Sequence, residues 1–116
     1  MLRAKTMRDV DPRHWDVVIR DKGKCQYCGL DGTQDIRILG SFQLDHLIPW
    51  FANGTDDLDN LVLSCPLCNR DKGRWDPSRG SSKPPARKVM IKRARRYINA
   101  RGSRYYKILY EALNSR

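Results

Sequence analysis

The stretch CPLCNRDKG (residues 65–73) decides how the chain is read. Pro66 suits the first position of a helix, Cys65 its N-cap and Gly73 its stop, so a short helix opens on a C-x-x-C pair. Just before it, NLVLSC (residues 60–65) is too short for a helix and suits a brief strand. A second pair, CQYC, brings in Cys25 and Cys28. Each pair turns two thiolates toward one point, and two pairs supply the four ligands of a tetrahedral zinc site. Two disulfides are the alternative in an oxidising compartment, but MLRAKTMRDV at the start lacks the apolar run of a secretory signal. The 36 residues between the pairs exceed the loop of a small zinc ribbon, so something substantial is inserted there.

Inside the insert, DIRILGSFQLDH (residues 35–46) carries Ile36, Ile38, Phe42 and Leu44 in rough alternation, which predicts a bent strand or hairpin broken at Gly40. A polar loop, PWFANGTDDLD, joins it to the second strand. Upstream, a helix is expected over Pro12 to Lys22, capped by Asp11, stopped at Gly23, and facing the core with Trp15, Val18 and Ile19. Downstream, DPSRGSSKPP (residues 76–85) has the composition of a linker. Two amphipathic helices follow. One carries Met90, Ile91, Ala94, Tyr97 and Ile98 on one face and ends at Gly102. The other starts on Ser103 and carries Tyr105, Leu109, Ala112 and Leu113. Both stripes are read as core contacts, and so are Trp50, Phe51 and Trp75.

Charge divides the chain. Residues 1–82 hold 12 Lys/Arg against 12 Asp, whereas residues 83–116 hold 11 Lys/Arg against one acid, Glu111. The whole net charge of +10 therefore sits in the C-terminal third, and a polyanion such as DNA or RNA is the expected partner. No apolar run is long enough to span a membrane. A cytoplasmic protein of one domain (1–116) is expected, with a core at about 25–73 and a basic helical extension at about 84–116.

With four cysteines for the zinc, His46 is not needed as a ligand. It follows Asp45, and Asn60 and Asn69 follow it in the pattern D-H-x13-N-x8-N, enclosed by the two C-x-x-C pairs. This constellation resembles the HNH endonucleases whose ββα-metal site is braced by a four-cysteine zinc, over Cys25 to Gly73. The resemblance implies an α+β fold: a small ββα-metal core stapled by Cys25, Cys28, Cys65 and Cys68, with an N-terminal helix and two C-terminal basic helices. It implies hydrolysis of DNA phosphodiester bonds, leaving 5′-phosphate and 3′-hydroxyl ends. Asn60 would brace the loop that holds the histidine strand.

The chemistry asks for the same residue types. Phosphodiester hydrolysis needs a base to deprotonate water, and positive charge where negative charge develops. Neutral imidazole suits the base, with an ordinary pKa of about 6.5. The oxygens of Asp45 and Asn69 suit Mg²⁺ or Mn²⁺. Both Asp45 and His46 can serve one site only if the strand breaks there, because strand neighbours point to opposite faces. Asp56, Asp57 and Asp59 are read as solvated loop acids. Arg70, Lys72, Arg87, Lys88, Lys92, Arg93, Arg95 and Arg96 are the candidate contacts to the phosphate backbone of DNA, double-stranded by expectation, and a homodimer or larger nucleic-acid-processing complex is conceivable. The alternative is a zinc-bound nucleic-acid-binding module without catalysis, or an interaction protein whose tail meets an acidic partner. Neither explains Asp45, His46, Asn60 and Asn69 at this spacing.

Overall fold

Helix α1 (Pro12–Arg20) is short, and its inward face is narrower than the apolar spacing implied. Val17 is fully buried, whereas Trp15 and Ile19, expected inside, stand at the surface. One turn after Val17, the buried Asp21 carboxylate accepts from Leu63 N at 2.9 Å and from Arg20 Nε at 2.9 Å. A polar anchor thus takes the place that a longer apolar stripe would have filled. The structure is a computed structural model that describes residues 12–79, 81, 83–102 and 104–115. Asp11 and Ser103, expected as helix caps, and the side chain of Tyr105 lie outside the described residues.

Residues 35–46 are not one strand. Asp35 caps a helix α2 (Ile36–Ser41): its carboxylate accepts from Arg37 N at 2.8 Å, and it also holds the Arg37 guanidinium. This local capping overrides the β-preference of Ile36 and Ile38, and Ile36 stays 84% exposed, as no inward strand residue would. Gly40 lies within the helix and breaks nothing. Strand β1 is only Gln43–His46, and it pairs antiparallel with β2 (Leu61–Ser64) in the register Gln43↔Ser64, Leu44↔Leu63, Asp45↔Val62 and His46↔Leu61. All four β2 residues are buried, so this strand is the floor of the core.

Helix α3 (Pro66–Lys72) opens on Cys65, whose sulfur accepts from Cys68 N, and closes on Gly73 at φ +53°. It packs against β1 and against α4 (Arg87–Arg101). Met90, Ile91, Ala94 and Ile98 of α4 are buried, and Tyr97 stacks on Trp75 at 4.4 Å. Arg95 of α4 donates to the carbonyls of Gln26 and Tyr27 at 2.7 and 3.0 Å, pinning the first cysteine pair to the helix. The last helix, α5 (Arg104–Asn114), departs from expectation: Leu109, Ala112 and Leu113 are exposed. The fold is therefore α+β, a two-stranded antiparallel sheet with α3 against it and helices at both ends. No helix among the described residues is long and apolar enough to cross a membrane.

Candidate active site and metal centre

The two cysteine pairs converge. Their four Sγ atoms lie within 4.8 Å of one another, and Cys28 and Cys65 approach to 3.7 Å. Four sulfurs held about 2.3 Å from one zinc ion would be about 3.8 Å apart, so the cluster has the dimensions of a zinc tetrahedron. Its electrostatics ask for a cation. Hydrogen bonds from Cys65 and then Cys68 hold the Cys25 thiol far below its ordinary range. The same bond pushes Cys65 up to about 11, and Cys68 is raised further still. Four thiolates so close together would be held by a divalent ion.

Helix α3 lies across β1, and two pairs of side chains bridge them. Gln43 Oε1 accepts from Asn69 Nδ2, and Asp45 Oδ2 meets Lys72 Nζ at 3.2 Å. Asn69 and Lys72 are one helical turn apart, and Gln43 and Asp45 share a strand face, so the pairs are adjacent rungs. With Nδ2 given to Gln43, Oδ1 is the atom Asn69 offers to a cation. Asp45 is only 7% exposed, and its Oδ2 also accepts from Tyr27 Oη at 2.5 Å. Burial pushes its carboxyl above the ordinary range, opposed chiefly by the Lys72 charge. Burial and then the Asp45 charge push the Tyr27 hydroxyl up, keeping it a donor.

His46 turns the other way. Strand pairing continues through His46↔Leu61, so the strand does not break at the Asp-His pair; the turn comes after it. Alternation sends Asp45 inward to α3 and His46 outward to the loop. There His46 Nε2 meets Asp56 Oδ1 at 2.8 Å, and Arg13 holds the other Asp56 oxygen at 3.0 Å. These contacts, His46 first and then Arg13, hold the Asp56 carboxyl below its ordinary range. A carboxylate at Nε2 favours the tautomer with its proton there, which leaves Nδ1 as a proton acceptor. Asn60 staples the intervening loop from within: Oδ1 accepts from Ile48 N at 2.8 Å, and Nδ2 donates to Ile48 O at 3.1 Å and Thr55 O at 2.8 Å. Gly54 passes so close that a Cβ there would lie 1.7 Å from Ile48 O.

Strand, loop, strand and helix thus stand in order between and upon two cysteine pairs that could hold a metal ion. Residues 25–74 match the profile of the HNH endonuclease family. The likeness to the HNH endonucleases covers this segment. No curated protein and no solved structure matches the chain. HNH proteins are generally endonucleases, which points to nucleic acid as the partner.

The HNH core contains residues that sequence reading misplaced. Lys72 is 1% exposed and donates to His46 O at 2.8 Å, so it is an internal cation beneath the site and not a surface contact to phosphate. Asp56 is bound to the imidazole and is no idle loop acid. No motif marks Tyr27, because only the fold sets it against Asp45. Of the expected DNA contacts, Arg87 donates to Asp21 and to Leu61 O, Arg93 to Pro77 O at 3.1 Å, and Arg95 to the first knuckle. Lys88, Lys92 and Arg96 stand exposed on α4, and exposed Arg70 lies 5.0 Å over the Tyr106 ring.

Proposed function

We propose that the chain is a divalent-metal-dependent endonuclease that hydrolyses DNA phosphodiester bonds. The observation that carries this reading is the His46 imidazole at the end of β1, held through Nε2 by the Asp56 carboxylate. His46 Nδ1 takes the proton of the attacking water as general base. Asp56 and Arg13 keep the ring oriented and stabilise the imidazolium that results. Asp45 and the Asn69 amide oxygen are hard donors on facing elements, and Mg²⁺ or Mn²⁺ bound there would stabilise the charge that develops on phosphorus and on the leaving 3′ oxygen. Lys72 and Tyr27 fix the Asp45 carboxylate from behind. Zinc on the four cysteines would be structural, holding the start of α3 and with it Asn69. The exposed cations of α4 would follow the phosphate backbone without reading sequence.

Two observations favour the reading without catalysis: the Lys72 ammonium already neutralises Asp45, and the unbroken strand turns Asp45 toward the helix and His46 toward the loop. A single assay separates the two readings. Supercoiled plasmid is incubated with the protein and Mg²⁺, Mn²⁺ or neither, beside His46→Ala. The nuclease reading expects metal-dependent nicking or linearisation, and a loss on the order of 10²- to 10⁴-fold in His46→Ala, the usual contribution of a positioned base. A folded wild-type protein that binds DNA and leaves the plasmid intact under every metal would establish the binding module instead.

A further inference from the structure

Trp50 and Phe51 follow the candidate base by four and five residues, and their placement is unusual for such large rings. They form a single 3₁₀ turn (Trp50–Ala52) closed by its own backbone: Ala52 N and Gly54 N both donate to Pro49 O at 2.9 Å, and Asn53 N donates to Trp50 O at 3.1 Å. Asn53 is left-handed at φ +69°, and Gly54 has no room for a side chain. This rigid turn holds both rings outward. Trp50 is 70% exposed and Phe51 62% exposed, although the fold buries smaller apolar residues such as Val17 and Leu47 completely.

The rings are not scattered on the surface. Trp50 stands edge-on to His46, with centroids 6.5 Å apart at 75°. The Arg74 guanidinium lies 5.3 Å over the Phe51 ring. From His46 the surface therefore runs imidazole to Trp50, and from Phe51 to a cation. Interleaved flat rings and positive charge match the two faces of a nucleotide strand, bases for the rings and phosphates for the cation. A paired duplex hides its base faces within the stack; only unpaired bases offer them to a protruding ring.

We propose that Trp50 and Phe51 form a stacking platform for unpaired DNA bases beside the His46 site, so that the preferred ligand is a strand whose bases are out of the duplex. The location next to the cut phosphate rests on the nuclease reading; the stacking itself does not. The full-length protein is titrated, without added divalent metal, against one labelled oligonucleotide presented as a single strand and as the matching duplex, read by anisotropy. Trp50→Ala and Phe51→Ala are compared with wild type after circular dichroism confirms the fold; both rings are exposed, so folding is expected to survive. Each truncation should weaken single-strand binding about 5- to 150-fold, the contribution of one stacked base, and leave duplex binding unchanged. Trp50→Phe keeps a stacking ring, so it should retain most of the affinity while losing the tryptophan quenching that single strands produce. Equal losses on both ligands would overturn the proposal in favour of a wedge in the duplex groove. No loss on either would overturn it outright. Because cleavage is not measured, a protein that fails the plasmid assay but shows the single-strand loss keeps the platform and loses the nuclease reading, and the converse result does the opposite.

Discussion

Lys72→Met isolates the least expected feature of the core. The substitution keeps much of the side-chain volume and removes an ammonium that sits 3.2 Å from Asp45 Oδ2 and 2.8 Å from His46 O, at 1% exposure. Breaking one partner of a buried ion pair costs about 3–5 kcal/mol, because the other charge is left without compensation. An unfolding entropy of roughly 2.1 cal/mol/K per residue, over 116 residues, converts this to a fall in Tm of about 12–20 °C. The total stability of such a chain is about 5–15 kcal/mol, so the variant should fold, with a reduced margin. Asp45→Asn removes the orphaned charge and still accepts from Tyr27. In that background the cost of Lys72→Met should drop to about 1 kcal/mol, the lost hydrogen bond to the His46 carbonyl. The assay is a double-mutant cycle by thermal or urea unfolding with zinc present. Equal costs of Lys72→Met in both backgrounds, or a single-variant shift below about 4 °C, would refute a coupled buried pair.

Purified protein should contain one zinc ion per chain at Zn–S distances of about 2.3 Å, and a strong chelator should unfold the region from Cys25 to Gly73; elemental analysis without zinc, or a mass showing two disulfides, would contradict this. Asp56→Asn bears on the imidazole: a carboxyl held low in the folded state stabilises it above the unfolded value of about 3.9 and loses that contribution as pH falls through the folded pKa. The variant should therefore be less stable than wild type at neutral pH, and the gap should close below about pH 4; a gap that widens on acidification would sink the assignment. ¹⁵N NMR should show His46 losing its preference for the Nε2–H tautomer in the same variant. With Arg87, Arg93 and Arg95 committed to protein acceptors, Arg70, Lys88, Lys92 and Arg96 remain for phosphates, so log K for DNA should fall with log salt at a slope of about −3.6. A slope near zero would remove α4 from the DNA interface.

What was legible in the sequence follows from the range of the forces involved. The C-x-x-C knuckles, the Cys65 cap, the Gly73 stop and the buried stripe of α4 depend on neighbours within a turn or two, and residue type at a given spacing is enough to read them. Helix α2 was local as well, but two signals competed there, and the Asp35 cap outweighed the alternation of Ile36 and Ile38. The rest depended on contacts across the chain. Lys72 reads as surface charge until α3 is laid on β1, where Asp45 and the His46 carbonyl, each 26 or more residues away, supply the compensation that permits a buried ammonium. Asp56 reads as an unpaired loop acid until the Asn60 staple brings its loop to His46, where the carboxylate pairs with the imidazole while staying exposed. Trp50 and Phe51 read as core because large rings usually are, and only the closed turn after Pro49, with no space at Gly54 for a different path, sets them outward. Residue types and spacing thus determined the chemistry within reach of this chain, and the packing of one helix across one strand decided which charged groups meet it.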